Sequence, residues 1–305
     1  MKKFLFLTTI IITLLTGCCK KPLLGIHIID VGQGDSILIQ TPGNKNILVD
    51  GGDEDSSLII KKFLSHKKVK KLDFIIATHP DTDHIGSLDS IINKFNVSNV
   101  CMPNIESDND AYYNLINSCN NKNIVPTFLS KDDLIELDNN IKITILNPSY
   151  THLDNNSNSI VFKLDYNDKS FLFTGDCTKE NELEIINNYD LEDIDFLKVS
   201  HHGSKNSSSL EFLQEVSPDV AAISCGYRNK YGHPHSETLN RLLDENILVY
   251  RTDLQSHLSF YSDGYVITTD AIINPPTDGT KDILPGVIFL PFIIFSFNST
   301  GFSVE

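Results

Sequence analysis

Six of the ten histidines fall in three short pairs: His79 and His84, His201 and His202, and His233 and His235. The first pair brackets two acids in His79-Pro80-Asp81-Thr82-Asp83-His84, so six residues offer two imidazoles and two carboxylates. Such a mixed donor set suits Zn²⁺ or Mn²⁺, and a cation held there can activate water for hydrolysis. Taken alone, the segment also reads as a polar turn whose aspartate caps the next helix. The remaining histidines decide between the two readings. Each pair, and Asp176 as well, follows an apolar run of strand character. Side chains delivered from the ends of successive strands converge on one rim of a sheet, so positions far apart in the chain can form one site.

The elements that must position these residues are legible as apolar runs between turn signals. Lys71–Ala77 reads as a buried strand and Ile85–Phe95 as a helix, which puts the first cluster on a strand-to-helix turn. Further strands are expected at Ile26–Ile29, Ser36–Gln40, Asn46–Val49, Ile141–Leu146, Ser159–Leu164, Ser170–Thr174, Phe196–Val199 and Val220–Ile223. Three more, at Leu248–Tyr250, Leu258–Phe260 and Val266–Thr268, close the domain. Helices are expected at Ser57–Leu64, Asp110–Cys119, Lys179–Asn187 and Glu237–Leu243. The turns Asp30-Val31-Gly32-Gln33-Gly34-Asp35 and Asp50-Gly51-Gly52 are glycine-rich, which allows positive φ and close backbone approach.

With 305 residues, 40% of them hydrophobic, the chain can bury a sizeable core as one large domain or two small ones. A formal charge of -15 argues against binding nucleic acid or anionic membrane through net charge alone. The lysines at 61, 62, 67, 68, 70 and 71 read as a solvated helix face. At the N-terminus, Lys2 and Lys3 precede the apolar run Phe4–Leu15, and Leu15-Thr16-Gly17-Cys18 resembles the lipobox of bacterial lipoproteins. That resemblance implies a signal peptide over residues 1–17, lipidation of Cys18, a linker over residues 18–24, and a membrane-anchored domain outside the cytoplasm. The six cysteines show no Cys-x-x-Cys pairing, and no bridge between Cys101 and Cys119 is expected. Residues 271–305 form a tail of different character, with an apolar stretch broken by Pro285, Gly286 and Pro291. No protein partner is evident.

Five ordered motifs carry a resemblance over about residues 25–270: Asp30-Val31-Gly32-Gln33-Gly34-Asp35-Ser36, His79-x-Asp81-x-Asp83-His84, Thr174-Gly175-Asp176, His201-His202-Gly203-Ser204 and Tyr231-Gly232-His233-Pro234. Together they resemble the metallo-β-lactamase-fold hydrolases, and within these the metallo-hydrolase domain of ComEC-type competence proteins. The resemblance implies an α/β (α+β) fold, a four-layer αβ/βα sandwich with two divalent metal ions, Zn or Mn, at one edge. By the same resemblance, His79 and Asp81 bind one metal, and Asp83 and His84 the other. Asp176 bridges them, and the His201-His202 pair supplies a further ligand, with His202 preferred. Asp83, His233 and His235 are the expected catalytic residues, and Asn158, Ser204 and Tyr231 the expected substrate contacts.

One departure is notable. Where many members of the fold place another histidine ahead of the Gly-Asp motif, this chain has Asn156-Ser157-Asn158-Ser159, and Asn is a poor ligand. The expected activity is hydrolysis by a metal-bound hydroxide, with a phosphodiester in DNA or in a smaller molecule as substrate. A cell-surface phosphorylcholine esterase, a lactone or β-lactam hydrolase, and a non-catalytic metal-binding lipoprotein assisting DNA uptake stand as alternatives.

Overall fold

The computed structural model describes residues 23–150, 154–271 and 293–294. Cys18, the signal segment, His152 and all of the tail beyond residue 271 except 293–294 lie outside these described residues.

The chain first builds β1 (Leu24–Ile28), β2 (Ile37–Gln40), β3 (Asn46–Val49), β4 (Lys71–Ile76), β5 (Asn96–Met102) and β6 (Thr127–Phe128) into one sheet. It then builds β7 (Leu134–Asp138), β8 (Ile141–Asn147), β9 (Val161–Tyr166), β10 (Lys169–Phe173), β11 (Phe196–Lys198), β12 (Val220–Ile223) and β13 (Leu248–Arg251) into a second. It finally returns to the first sheet with β14 (Leu258–Ser262), β15 (Ile267–Thr269) and β16 (Ile293–Ile294). The spatial orders are β16-β15-β14-β1-β2-β3-β4-β5-β6 and β13-β12-β11-β10-β9-β8-β7. Because β14 pairs antiparallel with β1, the last part of the chain locks onto the first.

Strand alternation assigns each face of each sheet. Ile37, Ile39, Ile47 and Val49 of the first sheet meet Ile143, Ile145, Phe162, Phe171, Phe173 and Phe196 of the second in one buried layer. Their neighbours Leu38, Leu48, Leu72 and Ile75 face the other way. They are covered by α1 (Ser57–His66), α2 (Thr82–Ile85), α3 (Leu88–Lys94) and α4 (Asp110–Asn121). On the second sheet Leu172, Leu197, Ala221 and Val249 are covered by α5 (Lys179–Asn188), α6 (Leu210–Val216) and α7 (Ser236–Asp244). The short α8 (Thr252–Gln255) follows β13 directly. The result is the expected αβ/βα sandwich.

Two expectations change. The single helix read over Ile85–Phe95 is two, α2 and α3, because a Cβ at Gly86 would meet the Asp53 and Glu54 backbone at 2.6 Å and the chain turns there. The strands β5 and β7 and the helix α6 have no counterpart in the sequence reading. The four described cysteines, at 101, 119, 177 and 225, are free and buried. No helix among the described residues is long and apolar enough to cross a membrane.

The inter-sheet layer should dominate stability. Phe173 is 1% exposed and stacks on Phe162 at 4.7 Å between ring centroids. Phe173→Ala is expected to destabilise the domain by about 3–5 kcal/mol, whereas Lys142→Ala on the exposed face of β8 should change stability by less than about 0.5 kcal/mol. Urea unfolding with the slope held constant checks both.

Candidate metal centre

Every member of the expected cluster leaves the carboxyl end of a strand. β4 runs through Ala77-Thr78 into His79, and Asp83 and His84 follow on α2. β10 runs through Thr174-Gly175 into Asp176. Gly175 has φ +50, and a Cβ there would press on Ser159 and Thr78 at 3.1 and 3.2 Å, so glycine lets the two loops approach. β11 leads into the turn Ser200–Gly203, where His201 and His202 take left-handed backbone at φ 49 and 53. β12 leads through Ser224 to the loop that carries His233 and His235.

These loops bring the side chains together. Asp176 is buried, with Oδ1 3.3 Å from His84 Nε2 and Oδ2 3.5 Å from His202 Nε2. His202 Nε2 is also 3.5 Å from Asp83 Oδ2. The His79 and His84 rings lie 4.1 Å apart, and His79 Nε2 is 3.7 Å from Asp81 Oδ2. Donor atoms of His79, His84 and Asp176 fall within 4.8 Å of one another, as do those of Asp83, His84 and His202. The two oxygens of Asp176 thus face different histidines, as a carboxylate shared between two cations must.

A fit test comes from the polar atoms that the fold leaves without partners. Nε2 of His79, His84 and His202, and Oδ1 of Asp35 and Asp176, are buried and accept or donate no hydrogen bond of good geometry. Burying one such atom unsatisfied costs about 1–3 kcal/mol, and the four on His79, His84, His202 and Asp176 face one another, which describes a cradle for cations rather than a packed core. The donor set therefore fits a binuclear site of imidazole and carboxylate ligands.

A second ring of contacts aims the ligands. Asp50 is fully buried and accepts from Thr78 N at 2.8 Å and Thr78 Oγ1 at 2.7 Å, and its Oδ2 lies 2.8 Å from His84 Nδ1. His202 Nδ1 donates to Ser224 O at 3.0 Å. With their Nδ1 atoms so engaged, both imidazoles turn Nε2 to the centre.

Electrostatics bind the cluster together. Burial alone would push the His84 and His202 pKa values down. Asp176 and Asp50 instead hold His84 well above its ordinary value, and Asp176 and Asp35 raise His202 to about 10. Burial disfavours the Asp83 carboxylate, yet His202 and His84 hold its pKa down to about 2. Burial and the neighbouring His84 charge lower the pKa of His79.

The remaining expected ligands, catalytic residues and substrate contacts divide. Asp81 is 40% exposed at its side chain and accepts from Asn155 Nδ2 at 2.7 Å. His201 is partly exposed, with Nε2 3.7 Å from Asp176 Oδ2. His233 is half-buried, its ring 5.6 Å from that of His201 and 6.1 Å from that of His202, with Gln33 Nε2 3.4 Å from its Nδ1. Burial and the surrounding histidines lower its pKa to about 4. Tyr231 stacks on His233 at 5.6 Å and is half exposed. His235 accepts from Lys205 N through Nδ1 at 3.1 Å and precedes α7, which ties it to the neighbouring loop. Ser204 is buried, and its hydroxyl accepts from Asn206 N within its own turn. Asn158 is buried and donates to Asp154 O.

Three residues at the centre were not singled out as site residues in the sequence reading: Asp35, Asp50 and Lys198. The signal for the two acids was present, since Asp35 closes the first glycine-rich turn and Asp50 opens the second. Lys198 is a lysine inside an apolar strand, buried and 2.7 Å from Asp35 Oδ2.

Residues 29–227 match the family model described as the metallo-beta-lactamase superfamily, well over half of the chain. The chain belongs to the metallo-beta-lactamase superfamily. Within this superfamily it is 29% identical over 276 residues to ComE operon protein 3 of Bacillus subtilis (strain 168), covering 85% of this chain and 35% of that protein. It is 30% identical over 253 residues to Recombination protein 2 of Haemophilus influenzae, covering 80% of this chain and 30% of that protein. It is also 30% identical over 234 residues to Competence protein ComA of Neisseria gonorrhoeae, covering 76% and 31%. The chain thus spans about a third of the length of these ComEC-type relatives, to which it is distantly homologous. Among solved structures, CmlA, a diiron beta-hydroxylase from Streptomyces venezuelae, superposes with a TM-score of 0.53 at 13% identity, covering 78% of this chain and 54% of that one. That likeness is one of fold.

Cations and protons compete for these superfamily ligands. The surrounding carboxylates raise the pKa of His84 above its ordinary value and that of His202 to about 10, so metal uptake is expected to compete with protons at these rings. Zn²⁺ affinity is expected to rise with pH across pH 6–8, by about tenfold per pH unit for each proton displaced. Calorimetric titration in buffers of different ionisation enthalpy should show more than one proton released per chain. Release of none would contradict the charge state described here.

Proposed function

We propose that the chain is a metal-dependent phosphodiesterase whose site accepts a nucleic acid strand. The metal cradle supports hydrolysis in general. The observation that selects the substrate class is the charge on one wall of the site. The two loops that carry His201, His202, His233 and His235 contain no Asp or Glu over residues 200–209 and 224–236. In a chain with 40 acidic residues they instead present Lys205, Arg228 and Lys230, all exposed. Tyr227 and Tyr231 stand beside these cations, 66% and 51% exposed, with Arg228 over the Tyr227 ring at 5.1 Å and Lys230 over the Tyr231 ring at 4.9 Å.

Exposed aromatic rings alternating with cations form a surface on which bases stack and phosphates pair without regard to sequence. The loop is built to hold them out. Asn229 accepts from Tyr231 N and His233 N through Oδ1, and donates to Gly226 O and His233 O through Nδ2. Four hydrogen bonds to one internal side chain fix the loop, so the tyrosines are presented at little further entropic cost on binding.

Divalent cations held by His79, His84, His202, Asp83 and Asp176 would lower the pKa of water and offset the charge that develops on a phosphoryl group. The chain's own residues do the rest. Asp176, Asp83 and the three central histidines, His79, His84 and His202, orient that chemistry at the sheet edge, with Asp50 fixing the His84 ring and Ser224 that of His202. His233, neutral at neutral pH, has one ring nitrogen beside the Gln33 amide. In the tautomer where Gln33 donates to Nδ1, the Nε2–H is free to donate to a phosphoryl oxygen.

The test pairs a small diester, bis(p-nitrophenyl) phosphate, with a single-stranded 20-mer, after stripping metal and reloading Mn²⁺ or Zn²⁺. Both should be cleaved in a metal-dependent way, and cleavage should fall to background in Asp83→Ala. Oligonucleotide binding should weaken steeply with salt, and Arg228→Gln or Lys230→Gln should each reduce the salt slope by about 1. Hydrolysis of a β-lactam or a phosphorylcholine ester in place of the diesters would replace this reading with the corresponding esterase or lactamase. Two bound cations with no turnover of any substrate would leave a binding protein.

A further inference from the structure

We propose that the buried pair Asp35–Lys198 positions Asp83 and His202 together, and that the pair is required to hold one cation of the site but not the other. The inference rests on the two-cation reading of the centre and is independent of the substrate.

Lys198 is the starting observation. It occupies the inward-facing position of β11 that alternation shares with Phe196, and it is 1% exposed. Its Nζ lies 2.7 Å from Asp35 Oδ2 and donates to Val199 O at 3.0 Å. Desolvating two ions costs several kcal/mol each, and apolar side chains of similar volume at such positions often give an equal or more stable fold. Stability of the sandwich therefore does not by itself account for this pair. Position does.

Asp35 touches the site on two sides. On one side its backbone N donates to Asp83 O at 3.2 Å, and the preceding Gly34 packs so closely that a Cβ there would lie 2.3 Å from Asp83 O. On the other side its Oδ1, which makes no hydrogen bond, is 3.5 Å from His202 Nδ1. Gly34 O accepts from Ser224 Oγ at 2.8 Å, and Ser224 O accepts from that same His202 Nδ1. The segment Gly34–Asp35 comes from the first sheet, whereas Lys198, His202 and Ser224 come from the second. The ion pair therefore ties the two sheet edges at the point where Asp83 and His202 must meet.

Asp83 and His202 belong to one donor cluster, with His84. The other side of the centre is held differently. His79 Nδ1 lies 3.1 Å from Thr78 Oγ1, and Asp81 is held by Asn155. Loss of the Asp35–Lys198 tie should therefore loosen the Asp83/His202 cation and spare the His79/Asp81 one.

The experiment measures Zn²⁺ bound per chain, by titration of the metal-free protein followed by elemental analysis after dialysis. It compares the wild type with Asp35→Asn, Lys198→Met and the double substitution Asp35→Asn/Lys198→Met. The wild type should bind two equivalents. Each single variant should retain one equivalent at unchanged affinity and bind the second about 10–100-fold more weakly. The single variants also leave one charge buried without its partner, so they can fail to fold. The double variant removes both charges and keeps the question answerable. Folded by circular dichroism and thermal unfolding, it should still show the selective loss of one equivalent. Two equivalents at wild-type affinity in the folded double variant would show that the pair serves the fold alone. An equal loss of both equivalents, or a wild type that binds only one, would equally overturn the proposal. Because no turnover is read, the result stands apart from any failure of the phosphodiesterase reading.

Discussion

Three carboxylates, Asp35, Asp50 and Asp176, lie at 3% exposure or less around one point at the edge of two sheets. Buried anions at such spacing repel and are poorly solvated, so each needs a partner close at hand. The structure supplies a different one for each. Lys198 meets Asp35, Thr78 and His84 meet Asp50, and Asp176 faces His84 and His202. Only Asp176 is partnered solely by groups that are themselves metal donors. Its charge is the one left to be neutralised by cations, and it is the largest influence raising the pKa of both His84 and His202.

The topology follows from that requirement. On one side of each sheet the strands are antiparallel, with β1 between β14 and β2 and β7 to β10 pairing in sequence, and the β1–β2 connection brings Asp35 to the rim. At the site they turn parallel, β3 to β6 in one sheet and β10 to β13 in the other. A parallel pair needs a crossover, and each crossover returns the chain so that another carboxyl end opens on the same rim. His79, Asp176, His202 and His233 arrive by that route. The two long hydrophobic layers outside the sheets exist because those crossovers are helical and must be covered.

Much of this was legible because its signals are local. The His79–His84 spacing, the apolar run before each histidine pair and the glycines at Asp50-Gly51-Gly52 can be read directly. What was not legible depends on long-range pairing. β5, Asn-Val-Ser-Asn-Val-Cys-Met, carries polar residues at alternate positions only near its start and becomes a strand by pairing between β4 and β6. β7 is half exposed at an edge, so its pattern is weak. Lys198 was hidden for a sharper reason. A lysine in a strand is ordinarily the residue that faces water, and only the contact with Asp35, 163 positions earlier, turns it inward. Ser204 shows the converse, because a hydroxyl beside a histidine pair reads as a substrate contact, whereas the structure buries it with its oxygen accepting from Asn206 N in its own turn.

Net charge and local charge then part company. The chain as a whole repels polyanions, and one wall of the site shares that character: Asn109 Nδ2 donates to Pro80 O at 2.7 Å and pins the exposed acids Glu106, Asp108 and Asp110 beside the His79 loop. The opposite wall carries Lys205, Arg228 and Lys230. At physiological salt a charge is felt over about 8 Å, so the distant surface matters little and the two walls dominate. On the proposed reading, a nucleic acid strand lying across such a site would be pushed from the acidic wall towards the tyrosines, and its backbone would be held on the side where His201, His202 and His233 stand. An acidic protein would in this way take a polyanion at one place while its remaining surface disfavours nonspecific adhesion.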